Sequence, residues 1–315
     1  MTTYKETNGT NIEILSEDPA NPVQGQIWYN TDSSTLKGLG YVATGAWASG
    51  GNLNTARARL GGSGTQTSAL GYGGNPSNTR TESYNGSSWT ELNDLNNGRY
   101  DVGAAGASNT SALAFGGNPT SAHTETWNGT NWTELNNLNT ARTELSGTGV
   151  ATSALAFGGN PNRNETELWN GSNWTEVNNL NAGRRDLAGA GVNNTAVLAF
   201  GGENSGATSL AITELWNGTN WTEVADLNSV RNALEGTGTA TAALAMGGVE
   251  PPTTGKTEVW NGSSWTEQGD LSTGRQHLGA AGTTSAGLAI GGEPTTAATE
   301  EWTGAGPAVQ TFSDA

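Results

Sequence analysis

Short apolar runs alternate with polar turns along most of the chain, at a spacing typical of β-strands. In the unit 142–180, the run 152–157 is apolar and alternating, and it stops at a Gly-Gly pair, which is typical of a strand followed by a turn. A candidate strand at 142–149 precedes this run, and candidate strands at 166–169 and from Trp174 onward follow it. No apolar period of 3.6 residues is sustained, so the pattern predicts four short strands and no helix.

This four-strand pattern recurs through the sequence. Gly-Gly pairs return 43, 42, 43, 46 and 44 residues apart, at Gly73, Gly116, Gly158, Gly201, Gly247 and Gly291. Tryptophans keep the same period at Trp47, Trp89, Trp132, Trp174, Trp221 and Trp265, and so do arginines at Arg57, Arg99, Arg142, Arg184, Arg231 and Arg275. A period in the forties with strand content indicates a propeller rather than a helical solenoid.

Two local signals support four-stranded blades. Asn170-Gly171 separates the third and fourth candidate strands, and Asn-Gly is a strong hairpin signal because both residues tolerate positive φ. The first strand of each copy is rich in glycine, as in LGGSG from Leu60 and LAGAG from Leu187. Glycine weakens a strand unless another backbone approaches closely, so we expect these strands to converge around a narrow axis.

At these positions the chain resembles the kelch repeat. The resemblance lies in the Gly-Gly after an apolar strand, an aromatic residue about ten positions later, a tryptophan five beyond that and an arginine ten further. It covers roughly residues 47–302, with shorter units and tighter turns than typical kelch repeats. It implies an all-β, six-bladed β-propeller of four-stranded antiparallel blades, and it implies no single activity.

The two ends of the array look complementary. Aligning Trp47 with Trp89 makes the segment 41–57 an outer strand without its first three partners, and the last copy stops at a third strand ending in Trp302. We therefore expect the Trp47 strand to complete the sixth blade and close the ring, which removes exposed strand edges. In the alternative, the tail 308–313 takes that place, and the N-terminal hairpin with the Trp47 strand begins a partial seventh blade.

Residues 1–40 differ in composition from the array at 41–315 and are predicted to be an attachment segment. A hairpin is expected from strands at 26–30 and 35–39 around the polar turn 31–34. The string DPANPVQGQIWYNTDSSTLK resembles a segment of structural proteins of tailed bacteriophages, where it precedes a distal domain. The resemblance implies a virion component that is assembled in the host cytoplasm and docks to other virion proteins through this segment.

Charge and composition narrow the set of partners. The formal net charge is −16, which argues against nucleic acid or an anionic membrane as the main partner. Cysteine is absent, so neither a disulfide framework nor a thiolate metal site is available. The sequence contains neither an apolar stretch of about 20 residues nor the apolar core of a signal peptide at its N-terminus, so we expect no membrane insertion and no secretion.

The recurring arginines allow two interpretations. They could form a ring of cations that captures an acidic sugar or a carboxylate. The alternative, which we favour because glutamates recur once per repeat, is a structural strut that pairs each arginine with Glu82, Glu125, Glu167, Glu214, Glu258 or Glu300.

The loops after each Gly-Gly pair differ most among the copies and are the candidate ligand-binding loops. They should lie on the same face as the links between blades, and their amide and hydroxyl side chains suit hydroxyl-rich ligands such as a host-surface glycan. The alternative is a set of solvated turns with no ligand. The residues chosen as candidates are Asn75, Asn118, Asn160, Glu203, Asn204, Glu250 and Glu293.

Catalysis has few candidate residues, and we predict no catalytic residue, metal or cofactor. The two histidines, His123 and His277, occupy non-equivalent positions and are expected at the surface or in loops. The predicted function is therefore a non-enzymatic structural or adhesion protein of the virion, with an oligomeric state left open. Two alternatives remain: a glycan-processing propeller enzyme, which would need a pocket with carboxylates that break the repeat, and a purely structural decoration protein.

Overall fold

The computed structural model of the chain describes residues 12–20, 22, 25–42, 44–76 and 78–312. The chain divides into two compact units, Ala46–Thr303 and a smaller unit of Met1–Gly45 with Gly304–Ala315. All regular elements in the described residues are strands, and no helix there is long and apolar enough to cross a membrane. Residues 1–11, where the sequence predicts no secretion signal, lie outside the described ranges.

The strands of the larger unit follow the repeat. The first two repeats contain β5 (Gly61–Thr65), β6 (Ser68–Tyr72), β7 (Thr81–Tyr84), β8 (Trp89–Glu91), β9 (Gly103–Ser108), β10 (Ser111–Phe115), β11 (Thr124–Trp127) and β12 (Trp132–Leu135). The third and fourth contain β13 (Ser146–Val150), β14 (Ser153–Phe157), β15 (Thr166–Trp169), β16 (Trp174–Val177), β17 (Ala188–Asn193), β18 (Ala196–Phe200), β19 (Thr213–Trp216) and β20 (Trp221–Val224). The last two contain β21 (Glu235–Thr239), β22 (Ala242–Met246), β23 (Thr257–Trp260), β24 (Trp265–Glu267), β25 (Gly279–Gly282), β26 (Ala286–Ile290) and β27 (Thr299–Thr303), and β4 (Ala46–Ser49) joins β27.

These strands form repeated four-stranded antiparallel sheets, six in the described part of the larger unit. Five of these sheets keep the chain order of their repeat, and in the sixth β4 takes the fourth place beside β27. The glycine-rich first strand, here called the innermost strand, is therefore always at one edge. The arrangement is that of a β-propeller-like repeat fold. The predicted strands are present, although the first begins later than expected, at Ser146 rather than at residue 142.

The core lies between neighbouring sheets. The second strand of each repeat is almost entirely buried, and its apolar side chains pack against the tryptophans of the next sheet. The ring of Phe115, for example, lies 4.9 Å from the ring of Trp174. One such cluster joins the last repeat to the first, with Leu288 and Ile290 packed beside Leu60 and Trp89.

Glycine is required where the innermost strands meet their neighbours. A Cβ at Gly147 would lie 2.2 Å from Cζ of Phe115 in the preceding repeat, and a Cβ at Gly62 would lie 2.5 Å from the backbone N and O of Ala280. The sequence prediction of close approach is thus correct, but an aromatic ring as well as a backbone makes the approach.

The outer tryptophans tie each sheet to the one before it. The indole N–H of Trp132 donates to Oγ1 of Thr81 in the preceding repeat at 2.9 Å. Equivalent bonds of 2.9–3.2 Å join Trp47 to Thr257, Trp89 to Thr299, Trp174 to Thr124, Trp221 to Thr166 and Trp265 to Thr213.

The Trp47 strand pairs with the last repeat, as the sequence alignment indicated. Strand β4 runs antiparallel to β27 with Trp47 opposite Trp302, and the two rings lie 5.2 Å apart. The alternative in which the C-terminal tail takes this place is therefore wrong.

The smaller unit contains a seventh sheet. It consists of β1 (Glu13–Leu15), β2 (Ile27–Asn30), β3 (Thr35–Val42) and β28 (Gly306–Phe312). The sequence alternative placed the N-terminal hairpin with the Trp47 strand in a partial seventh blade, but the strand that joins the hairpin here is β28. The predicted hairpin is present as β2 and β3, and the tail strand β28 pairs with β3 up to Phe312. The predicted boundary between residues 40 and 41 falls inside β3, and residue 313 of the predicted tail strand lies outside the described residues.

Trp47 makes the same kind of indole bond and tryptophan ring contact as Trp132, although it is only partly buried, so its removal should also destabilise the larger unit. We expect Trp47→Ala to lower the free energy of unfolding by about 3 kcal/mol, near the lower end of the range for Trp→Ala in a core. Urea denaturation with Trp132→Ala as the matched variant checks this. A loss below about 1 kcal/mol for Trp47→Ala, with a normal loss for Trp132→Ala, would contradict the pairing of β4 with β27.

Candidate functional site

The six recurring arginines are buried in the links that connect the outermost strand of one sheet to the innermost strand of the next. Arg142, for example, precedes the start of β13 by four residues, so the arginines do not themselves begin the innermost strands. Each arginine pairs with the glutamate on the third strand of the repeat that follows, at N–O distances of 2.5–2.9 Å. Both side chains of every pair are at most 4% exposed, which leaves no surface for a ligand.

An asparagine completes five of these six pairs. In the third repeat, one oxygen of Glu167 accepts from Arg142, and the other accepts from the backbone N–H and the Nδ2 of Asn139, at 2.7 and 2.8 Å. The same Nδ2 donates to the carbonyl of Trp174 at 3.2 Å, and Arg142 also donates to the carbonyls of Gly158 and Glu165. Burial lowers the pKa of each arginine and the glutamate opposes it, so the ion pair is kept.

Two residues beyond each arginine, the backbone turns into the left-handed region without using glycine. These six residues, which we call the crown, have φ between 48° and 60°: Arg59, Asp101, Glu144, Asp186, Ala233 and His277. Such angles are uncommon outside glycine. Five crown N–H groups donate to the carbonyl of the crown residue one repeat earlier at 2.7–3.0 Å, and among them Arg59 donates to His277.

The crown side chains form an ion network on one face of the larger unit. Arg59 lies between Asp101 and Glu293, at 3.0 and 2.8 Å. The two ring nitrogens of His277 lie 3.4 Å from Asp186 and 3.4 Å from Glu293. His277 is thus a loop residue, as predicted, but its side chain is only 13% exposed, so it is not at the surface.

The variable loops begin beside the crown. Their first residues pair with the link residue between the arginine and the crown residue, as in Asn75 with Ala58, Asn118 with Tyr100, Glu203 with Arg185 and Glu293 with Gln276. Asn160 donates its N–H to the carbonyl of Thr143 in the same way, at 2.8 Å. All the variable loops therefore leave the sheets at the crown end.

The structure brings only some of the predicted loop residues together. Glu293 contacts Arg59 and His277 in the crown, and Glu203 accepts from Arg185 and Asn232. Asn75, Asn118 and Asn160 stand at separate loop entrances. Asn204 closes a turn within its own loop, and Glu250 pairs with Lys256 at 2.8 Å.

Burial and crowding shift the ionisation of the crown. Burial raises the pKa of Asp101, against the attraction of Arg59, and it raises the pKa of Glu144 together with repulsion from Asp186 and Asp101. Burial disfavours the His277 imidazolium, but its contacts with Asp186 and Glu293 prevail and raise its pKa to about 9. The close contact with His277, together with the hydrogen bond from Arg59, in turn lowers the pKa of Glu293 to about 2.

A cavity of about 270 Å³ lies beyond the crown, enclosed by the innermost strands of all six repeats; we call it the central cavity. Glu235 lines both this cavity and a pocket of about 40 Å³ beneath the crown. The equivalent positions in the other repeats hold Gly61, Gly103, Ser146, Ala188 and Gly279. Burial raises the pKa of Glu235 to about 8.

Neither the crown nor the position of Glu235 in the cavity was predicted from the sequence. No single residue type occupies the crown position in all six repeats, so the only feature of the sequence that could have marked it was the constant distance of two residues from each arginine. Glu235 could have been found as the one charged residue in the small-residue segment that opens each innermost strand.

No group of three or more His, Cys, Asp or Glu side chains suited to a metal ion occurs among the described residues. The sequence matches no known family model and no curated protein.

The sixth repeat departs from the asparagine rule and offers a gain-of-stability test. Ser272 replaces the asparagine, and only its backbone N–H reaches Glu300, at 2.8 Å. Ser272→Asn should add side-chain bonds to Glu300 and to the carbonyl of Trp47, and so raise the free energy of unfolding by about 1 kcal/mol.

The matched variant is Asn139→Ser, which should lower the free energy of unfolding by about 1–2 kcal/mol because the buried carboxylate of Glu167 and the carbonyl of Trp174 lose a side-chain donor. Urea denaturation of both variants checks the pair. A neutral or destabilising Ser272→Asn beside a destabilising Asn139→Ser would mean that the last repeat does not share the geometry of the others.

Glu235 should make stability depend on pH. Its folded pKa of about 8 lies above the ordinary glutamate value of 4.5, so its contribution is fully present below the unfolded pKa and is lost as the pH rises through 8. Glu235→Gln should therefore lie within about 1 kcal/mol of the parent protein at pH 5 and exceed its free energy of unfolding by up to about 4 kcal/mol at pH 8.

Urea denaturation at pH 5, 6, 7 and 8 measures this difference, with Glu267→Gln, an exposed position on β24, as the control. The contribution of His277, which is lost as the pH rises through 9, cancels in the comparison between variant and parent. Parallel pH curves for Glu235→Gln and its parent would show that the carboxyl group is not desolvated.

Proposed function

We propose that this protein is a non-enzymatic structural and adhesion component of a tailed-phage virion. In this proposal the larger unit is a closed, six-bladed, kelch-like propeller that presents its crown face to a host-surface glycan. Residues 1–40 attach the protein to other virion proteins. The virion setting rests on the resemblance of residues 18–37 to phage structural proteins.

Three contacts between the last repeat and the first support a closed ring. Trp47 pairs with Trp302 through β4 and β27, Trp89 donates to Thr299 at 3.0 Å, and Arg59 donates its N–H to the carbonyl of His277 at 2.7 Å. Each of these contacts has the same form as the contacts between successive repeats.

The observation that carries the binding proposal is the placement of the variable loops. Their lengths and sequences differ, yet all of them leave the sheets beside the crown. Variable loops on a rigid scaffold are where binding sites usually lie. Their amide, hydroxyl and carboxylate side chains can donate to and accept from sugar hydroxyl groups.

The glycan-processing enzyme remains a second candidate because of one observation. Glu235 is a carboxyl group that breaks the repeat, lines a cavity and has a raised pKa, as a general acid requires. The cavity of about 270 Å³ is, however, smaller than the roughly 300–1,000 Å³ of usual ligand pockets. We therefore favour binding over hydrolysis.

A loop exchange tests adhesion. Replacing residues 203–212 with the NPNRNE sequence of residues 160–165 should change or abolish binding on a glycan array, because it alters the longest variable loop. Asn193→Ser, at the far end of β17 from the crown, copies the equivalent Ser108 and should leave binding unchanged. Identical binding profiles for the loop exchange and the parent protein would contradict adhesion through the crown face, and sugar release would favour the enzyme.

An image of the assembled particle tests the virion setting separately. We expect residues 1–40 to be embedded in a larger assembly. Absence of this protein from the particle would contradict the virion proposal, and the loop exchange would still test adhesion.

A further inference from the structure

The walls of the central cavity consist largely of backbone. Its lining residues are mostly glycine and alanine with a few hydroxyl side chains. Each innermost strand is an edge strand of its sheet. Edge strands carry a row of N–H and C=O groups that no neighbouring strand of the sheet engages. The cavity therefore offers polar backbone acceptors and little side-chain bulk.

Glu235 is the acidic side chain in this lining, and it stands at the crown end of the cavity. One carboxylate oxygen accepts a bond of 3.3 Å from the N–H of the next residue, Gly236. In the described part of the chain, no arginine, lysine or histidine lies within ion-pair distance of it. Glu235 is partly buried. A carboxyl group shielded from water without a cation is costly, and five of the six repeats avoid it with a small residue.

The opposite end of the cavity carries apolar side chains on three of the innermost strands, and Thr65 and Thr283 also line it there. Val192, at the end of β17, is 56% exposed and lines the cavity together with Val150 and Ala107 of the two preceding repeats. At the crown end, the adjoining pocket has a volume of only about 40 Å³. A ligand entering from the valine end would meet apolar side chains first and the carboxyl group last.

We propose that the central cavity binds a primary ammonium group on a slender, unbranched carbon chain, with Glu235 as its counter-charge. The ammonium group has three donors and no acceptor, which matches a carboxylate surrounded by backbone carbonyls. Its carbon chain would lie along Ala107, Val150 and Val192. Anions are disfavoured because the adjoining crown is rich in carboxylates.

Binding should release a proton. The charged groups that line the pocket with Glu235 are Arg59, Asp101, Glu144, Asp186 and His277, and burial raises the pKa of Glu235 to about 8. Without ligand the carboxyl group is therefore mostly protonated at pH 7. The ammonium stabilises the carboxylate, so the carboxyl O–H gives its proton to the buffer while the ammonium keeps all of its own.

Titration calorimetry with n-butylammonium chloride tests the proposal. We expect affinity to increase by up to tenfold for each pH unit between 6 and 8. We also expect close to one proton released at pH 7, measured in two buffers of different ionisation enthalpy. Neutral n-butanol and anionic butyrate should bind at least tenfold more weakly. Binding of n-butanol as tight as that of n-butylammonium would overturn the proposal.

The decisive variant is Glu235→Gln, which keeps the shape of the side chain and removes its charge. It should lose at least tenfold in affinity and all of the proton release, whereas the exposed Glu267→Gln should bind as the parent does. Undiminished binding by a folded Glu235→Gln, or no amine binding by the parent protein, would refute the site. Thermal unfolding without ligand verifies that each variant is folded.

A second probe identifies the source of the ammonium group. Binding of Nα-acetyl-lysine amide with the same dependence on Glu235 indicates a lysine side chain of a partner. Binding restricted to n-butylammonium indicates a free amine, and either result supports the site. Glycan-array binding should not change in Glu235→Gln. The amine site and the crown-face adhesion are therefore tested independently of each other.

Discussion

One buried carboxylate per repeat ties the sheets together. Glu167 shows the arrangement: one oxygen holds Arg142 and the other holds Asn139, and both of these residues lie in the link that arrives from the preceding sheet. A buried charge is tolerated only with such partners. Each sheet therefore binds the link that leads into it, and this contact fixes the position of each sheet relative to the one before.

The second constraint is space at the innermost strands. Phe115 occupies the volume that a side chain at Gly147 would need, so glycine on one strand is matched by an aromatic ring on the neighbouring sheet. The outer edge has the opposite requirement, and it is filled by aromatic pairs. In each pair the indole N–H of the fourth-strand tryptophan donates to a threonine of the sheet before, as Trp132 does to Thr81. Small residues inside and large ones outside produce the wedge that a propeller blade needs.

Residues that depart from the repeat lie mostly at positions with few buried side-chain contacts. The arginines, glutamates and tryptophans scarcely vary, because each has buried partners in two repeats. The crown position is constrained mainly in its backbone, and it holds cations, anions, an alanine and a histidine. Glu235 departs furthest, since it places a carboxyl group where its counterparts are small. We therefore expect ligand contacts at the crown face and in the central cavity, away from the repeated network.

Sequence patterns were enough to predict the strands, their period, the Asn-Gly hairpins and the complementary ends, because these depend on local turn chemistry and on a pattern repeated many times. These patterns also indicated the partners of the arginines, because both members of each pair recur at a constant spacing. Folding brings the crown together, buries His277 and places Glu235 at the central cavity, and in the smaller unit it pairs β28 with β3. Each of these features joins residues that are far apart in the chain. The residue types at these positions do not recur with the repeat period, and their burial and ionisation depend on neighbours that only the folded chain supplies.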